Sequence, residues 1–131
     1  MKTSGLENAK KVAYFEYDFS IHGGAAEAIT VYGDVIPIGA IITSGMIHVK
    51  TAVTSAGSAT VAIQALSSED VLAATGKASL TLNALIDTVP VGTAATAIRC
   101  TSTVQSLTFT PAVAALTAGK ICVALEYVVT A

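Results

Sequence analysis

From Val12 onward, apolar and polar positions along the chain repeat with a period of two rather than 3.6, the signature of half-buried strands. In Val12–Phe19, residues Ala13, Phe15, Tyr17 and Phe19 share one face, and Tyr14, Glu16 and Asp18 share the other. Gly23-Gly24 punctuates a loop, and Ala28–Tyr32 predicts the next strand, ended by Gly33-Asp34. Pro37 lacks a ladder donor, so Val35–Gly39 predicts an edge or a corner. After Ile41–Thr43, the segment Met46–Val53 alternates cleanly, with Ile47, Val49, Thr51 and Val53 on one side. The turn signal Ser55-Ala56-Gly57-Ser58 and a further alternation over Ala59–Ala65 predict a hairpin. The last segment, Ile121–Val129, puts Ile121, Val123, Leu125, Tyr127 and Val129 on its apolar face. Weaker strands are predicted at Ser79–Leu82, Thr96–Thr101 and Leu107–Thr110.

One short helix is expected over Ser68–Thr75. Ser67 offers a cap, Glu69 and Asp70 suit the positive helix start, and Gly76 suits the stop. Against a helical reading of the many alanines stand dense Val, Ile and Thr and recurrent Gly. The pattern D-x-[IV]-P-[IV]-G-x-x-x-T occurs at Asp34–Thr43 and again at Asp87–Thr96. Each copy reads as a turn, a Pro-capped extended piece and a Gly that permits a bend. Two such corners fit two stacked Greek keys. The expected fold class is therefore all-β: a single antiparallel β-sandwich, jelly-roll-like, with at most one short helix. It occupies residues 12–131 behind an N-terminal arm, 1–11, which is polar, broken at Gly5 and Asn8 and closed by Lys10-Lys11. Phe15, Tyr17, Ile47, Val49, Val61, Ile63, Val123 and Leu125 are expected to point inward.

Composition changes this picture in one respect. Hydrophobic residues make up 53% of the 131, while charged residues are only 12%, about half the usual quarter. A domain of this size exposes much of its surface. The surface is thus built from Ser and Thr, or covered by partners, and self-association is expected. A net charge of -2 supplies no basic field, so a nucleic-acid partner is not expected. Apolar runs are interrupted before the roughly 18 residues of a spanning helix, and the start lacks a signal-peptide core, so no membrane partner is expected. Synthesis in a cytosol follows.

Motifs of chemistry are sparse. Gly23-Gly24 lacks the spacing of a dinucleotide loop. Gly119-Lys120 ends like a phosphate-binding loop, but Ala114 and Ile121 stand where Gly and Ser or Thr belong. Glu16 and Asp18 share a strand face at about the 7 Å spacing of i, i+2 neighbours, and a solvated face accounts for them. His22 and His48 read as structural, and Cys100 and Cys122 as reduced thiols acting as small core hydrophobes, with a disulfide between neighbouring strands as the alternative. A carbohydrate-binding platform would have only Tyr14 and Tyr32 to draw on, since Trp is absent. No catalytic, cofactor-binding or metal residue is assigned, no cofactor is expected, and the chain is expected not to be an enzyme.

Several stretches carry a resemblance. They are Tyr17–Ala25 (YDFSIHGGA), Ile36–Thr43 (IPIGAIIT), Val53–Ala62 (VTSAGSATVA), Leu116–Ile121 (LTAGKI) and Glu126-Tyr127-Val128. In this order they resemble small structural proteins of tailed bacteriophages and prophages, over most of the chain behind the arm. The resemblance implies capsid decoration, or cement: a β-sandwich or jelly-roll protein, often a homotrimer, on the outer capsid surface of the virion. There it would stabilise the shell by bridging capsomers, with the phage major capsid protein as partner and the host cytoplasm as the place of synthesis. A tail or head-fibre component is the alternative, as is a carbohydrate- or receptor-binding β-sandwich module. The matching motifs are loops and strand ends, so no residue role is transferred.

Overall fold

The computed structural model describes residues 10–129. Its elements in chain order are β1 (Lys11–Asp18), α1 (Phe19–His22), β2 (Ile29–Ile36), β3 (Ala40–Ser55), β4 (Thr60–Gln64), β5 (Leu72–Gly76), β6 (Leu85–Val91), β7 (Ile98–Arg99), β8 (Val104–Ala112) and β9 (Leu116–Val129), with a single 3-10 turn at Lys77–Ser79. All pairings are antiparallel, in the order β5-β4-β8-β2-β1-β9-β3-β6, with β7 also on β3. The fold is all-β with one four-residue helix. Most of the expected arm, residues 1–9, lies outside the described residues; Lys11 already belongs to β1.

The sheet curls onto itself. Its halves, β5-β4-β8-β2 and β1-β9-β3-β6, meet at one seam, where Phe15 pairs with Gly33. Gly33 is required there: a Cβ would sit 2.5 Å from both the Phe15 ring and the Tyr14 carbonyl oxygen. The inner faces then pack together, and the Tyr17 and Phe109 rings stack at 5.5 Å across the core. The two outermost strands return to each other as well, since Val89 N donates to Val71 O at 2.8 Å.

Alternation located the core correctly. Phe15, Tyr17, Ile47, Val49, Val61, Ile63, Val123 and Leu125 are all buried. Each contributes about 1.5–3 kcal/mol by leaving water. Pro37 lies just beyond β2, in the expected corner, and the glycines of the repeated motif, Gly39 (φ 91°) and Gly92 (φ 90°), take matching left-handed conformations. The second copy differs in that Pro90 lies inside β6, the outermost strand of its half, where no ladder donor is needed at that position.

Four expectations are corrected. Ala59–Ala65 does not form a hairpin with Met46–Val53: β3 pairs with β9, β6 and β7, while β4 pairs with β5 and β8. The chain crosses between the halves at Ser55–Ser58 instead of folding back. No helix spans Ser68–Thr75, because Leu72–Gly76 is β5. Asp70 turns back to accept from the backbone N–H groups of Ala65, Leu66 and Ser67 at 2.6, 2.9 and 2.8 Å, and Glu69 has φ 57°, which no right-handed helix allows. The helix is instead α1, capped by Asp18, whose Oδ1 accepts from Ser20 N at 2.9 Å. Phe19 therefore leaves the strand. The weak strand at Ser79–Leu82 is absent, and β6 takes its place a few residues later.

Candidate functional site: the outer sheet faces

Side chains fill the interior, and each half of the curled sheet turns one face outward. The two faces differ in chemistry. On the half β2-β8-β4, the outward row Thr30–Thr108–Gln64 is followed by Tyr32–Ser106 on one side and by Ala62–Thr110 and Thr60–Ala112 on the other. These positions carry no charge, and hydroxyls dominate.

The half β1-β9-β3-β6 presents a mixed face. Its rows are Val12–Glu126–Ser44–Val91, Tyr14–Ala124–Met46–Asp87 and Glu16–Cys122–His48–Leu85. Val12, Tyr14, Met46, Leu85 and Val91 are all exposed. Ion pairs rim this apolar centre: Lys10–Glu126 at 3.7 Å at one end, and Lys50–Glu16 at 3.8 Å and Lys120–Asp18 at 3.5 Å at the other. Ser44 Oγ donates to Glu126 Oε1 at 2.8 Å. An apolar centre inside a charged rim is the usual anatomy of a protein–protein contact. A cleft of about 470 Å³ opens on this face between Asp87, Met46, Val91, Val12 and Glu126.

The structure puts the singled-out residues into structural roles. Glu16 and Asp18 are held by Lys50 and Lys120. The Ser20 hydroxyl and N–H, helped by Lys120, lower the Asp18 pKa below the ordinary carboxylate value. His22 stacks on Tyr17 at 5.7 Å, and its Nδ1 accepts from Asp18 N at 3.0 Å. Tyr17 donates its hydroxyl to Gly23 O, and burial, with the Asp18 charge behind it, pushes its pKa up to about 12. Lys50 lies over the Tyr14 ring at 5.8 Å. Its pKa is raised first by the Tyr14 hydroxyl, then by Cys122 and Glu16. Tyr32 is exposed on the other half. Cys100 and Cys122 are both free and buried. Cys100 is bonded to Ala40, which pairs with Val129, whereas Cys122 lies far along the same strand, about 20 Å away at the usual rise per residue. That is beyond disulfide reach. Burial, followed by the Asp70 charge, raises the Cys100 pKa. Among the described residues, no group of three His, Cys, Asp or Glu converges.

Sequence reasoning missed β6. Its inward residues are Ile86, which packs against the core, Thr88 and Pro90, while Leu85, Asp87, Val89 and Val91 face out. Past Ile86 the hydrophobic parity is inverted. Thr88 is accommodated because its Oγ1 donates to Pro90 O at 2.9 Å and its methyl lies beside Gly45, where a Cβ would approach it to 3.0 Å. The period-two pattern in Leu85–Val91 was available as a signal for a strand, though not for its sign.

No protein-family model matches the chain, and no curated protein matches it. Its fold does recur in solved structures. A chain of the cyanophage Pam1 capsid asymmetric unit superposes with a TM-score of 0.70 at 20% identity, covering 99% of this chain and 91% of that one. A chain of the capsid of Ralstonia phage GP4 superposes with a TM-score of 0.61 at 16% identity, covering 100% of this chain and 92% of that one. The fold is thus shared, end to end, with chains of two phage capsids.

Proposed function

We propose that this chain is a non-enzymatic structural protein of a tailed-phage virion that decorates the outer capsid surface and stabilises the shell by bridging capsomers. The observation that carries this reading is the coverage: the fold is common to 99% of this chain and 91% of its counterpart in the Pam1 capsid. The outer faces support it, one apolar with a charged rim and one free of charge, because a shell protein must meet both its own copies and a different subunit. Binding across a capsomer seam stabilises the assembled lattice by mass action, since the decorated state gains contacts that the bare one lacks. We take the chain to act as a homo-oligomer, a trimer, with the major capsid protein as its partner and residues 1–11 as an arm that reaches the shell or a neighbouring subunit.

Quantitative mass spectrometry of purified particles tests this. Decoration predicts a copy number comparable to that of the shell protein. A few copies per particle would favour the tail or head-fibre alternative, and absence from the particle would overturn the reading. Deletion of residues 1–9 is expected to leave the fold intact and weaken particle binding.

A further inference from the structure

The edge of the mixed face carries an acid and a base with no ion-pair partner among the described residues. Among the described carboxylates, Glu16, Asp18 and Glu126 are ion-paired, and Asp34, Glu69 and Asp70 accept from backbone amides. Glu27 and Asp87 remain. Among the described cations, Lys10, Lys50 and Lys120 are ion-paired, and Lys77 donates to Ser55 O at 2.9 Å. Lys11 and Arg99 remain. Of these four, Asp87 and Arg99 stand on one edge, because β6 and β7 pair with the same side of β3, Asp87 opposite Met46 and Arg99 opposite Ile41. The strand rise puts them about 15 Å apart.

What lies between them is apolar and outward. Val91 is 55% and Val89 38% exposed on the inverted strand. Asp87 lines the cleft on one side of the Val91-Gly92 ridge. Arg99 lines a second hollow of about 330 Å³ on the other, with Ile41, Thr93, Ala94 and Ala97. The Thr88–Val91 half of the strand hides a threonine and a proline and exposes two valines, a layout suited to contact.

We propose that this edge binds a second copy of the chain, with Asp87 of one copy against Arg99 of the next and the Val89–Val91 ridge between them. The inference rests on the homo-oligomeric reading above and deepens it. Charge complementarity selects the occupant: the edge carries one acid and one base, so in a closed ring each copy offers its neighbour the opposite charge, and every pair is satisfied. The contact runs through side chains. Pro90 has no N–H to offer, and Val89 N is already given to Val71 O, so β6 cannot extend its sheet into a neighbour.

A charge swap on the full chain, read by sedimentation velocity, tests it. Asp87→Arg and Arg99→Asp are each expected to weaken self-association about 100-fold by setting like charges together, and the double variant D87R/R99D is expected to restore it. Glu27→Arg, far from the edge, is expected to leave it unchanged. Self-association of the wild type that persists unweakened in both single variants overturns the edge and spares the homo-oligomer. Failure of the double variant to recover also overturns the pairing. A wild type that stays monomeric at every concentration overturns both the homo-oligomer and this contact.

Discussion

β6 and β9 flank the same strand, β3, and use their alternation in opposite senses. β9 buries Ile121, Val123 and Leu125 and leaves Lys120 and Glu126 partly open to water. β6 turns Ile86 inward, then buries Thr88 and Pro90 and leaves Leu85, Val89 and Val91 exposed. The difference comes from position. β9 lies between β1 and β3, so both its edges are paired and its inner face meets the opposite half of the curled sheet. β6 is outermost, pinned by a bulged register to β3 and by one bond to Val71. Periodicity therefore fixes which residues share a face, and the neighbours decide which face is in. In a chain read as a shell protein, the strand that breaks the hydrophobic rule is the one available to a partner.

The contrast can be broken by substitution. Leu125→Ala on β9 is expected to cost about 3 kcal/mol in chemical denaturation, and Val123→Ala or Ile63→Ala roughly 1–3 kcal/mol. Val91→Ala on β6 is expected to stay within about 0.5 kcal/mol. Equal losses at Leu125 and Val91 would mean that β6 is packed rather than presented. Next in size is Asp70→Ala, which strands three amides and is expected to cost about 2 kcal/mol.

Tyr17 sharpens the comparison from the core side. Its folded pKa is raised to about 12 from 10.0, so its contribution is fully present below pH 10 and is lost as pH rises from 10 toward 12. By pH 11 the loss is expected to reach about 1.4 kcal/mol and to be absent in Tyr17→Phe, as read by denaturation at pH 8 and pH 11. The smallest effect is at Asp18, whose folded pKa is lowered. Its contribution is fully present above its unfolded value of about 4 and is lost as pH falls below that, through the folded value. Amide protection in α1, after division by the intrinsic exchange rate at each pH, is expected to fall in acid for the wild type and to stay constant over that range in Asp18→Asn.

Much of the architecture was legible because it is local. The inward sets on β1, β3, β4 and β9 follow from two-residue alternation in segments rich in Val and Ile. The corner at Pro37 follows from a missing donor. Pairing was not legible, since a turn signal at Ser55–Ser58 suits a hairpin and a crossover equally, and β3's main partner is the distant β9. Ser67-Ser68-Glu69-Asp70 has the composition of a helix start, yet the Asp70 carboxylate bonds backward and makes a closed loop. Conversely, α1 was hidden because Phe19 continues the alternation of β1. The candidate contact edge was the least legible, as its marker is an inversion that only the curled sheet reveals.

A symmetry-resolved electron cryomicroscopy map of the intact particle tests the central claim most directly. The account predicts density for this fold on the outer capsid surface, in closed groups of copies spanning capsomer seams, with the β6–β7 edge of each against its neighbour. A shell free of this fold, with the chain confined to the tail or missing from the particle, would contradict it.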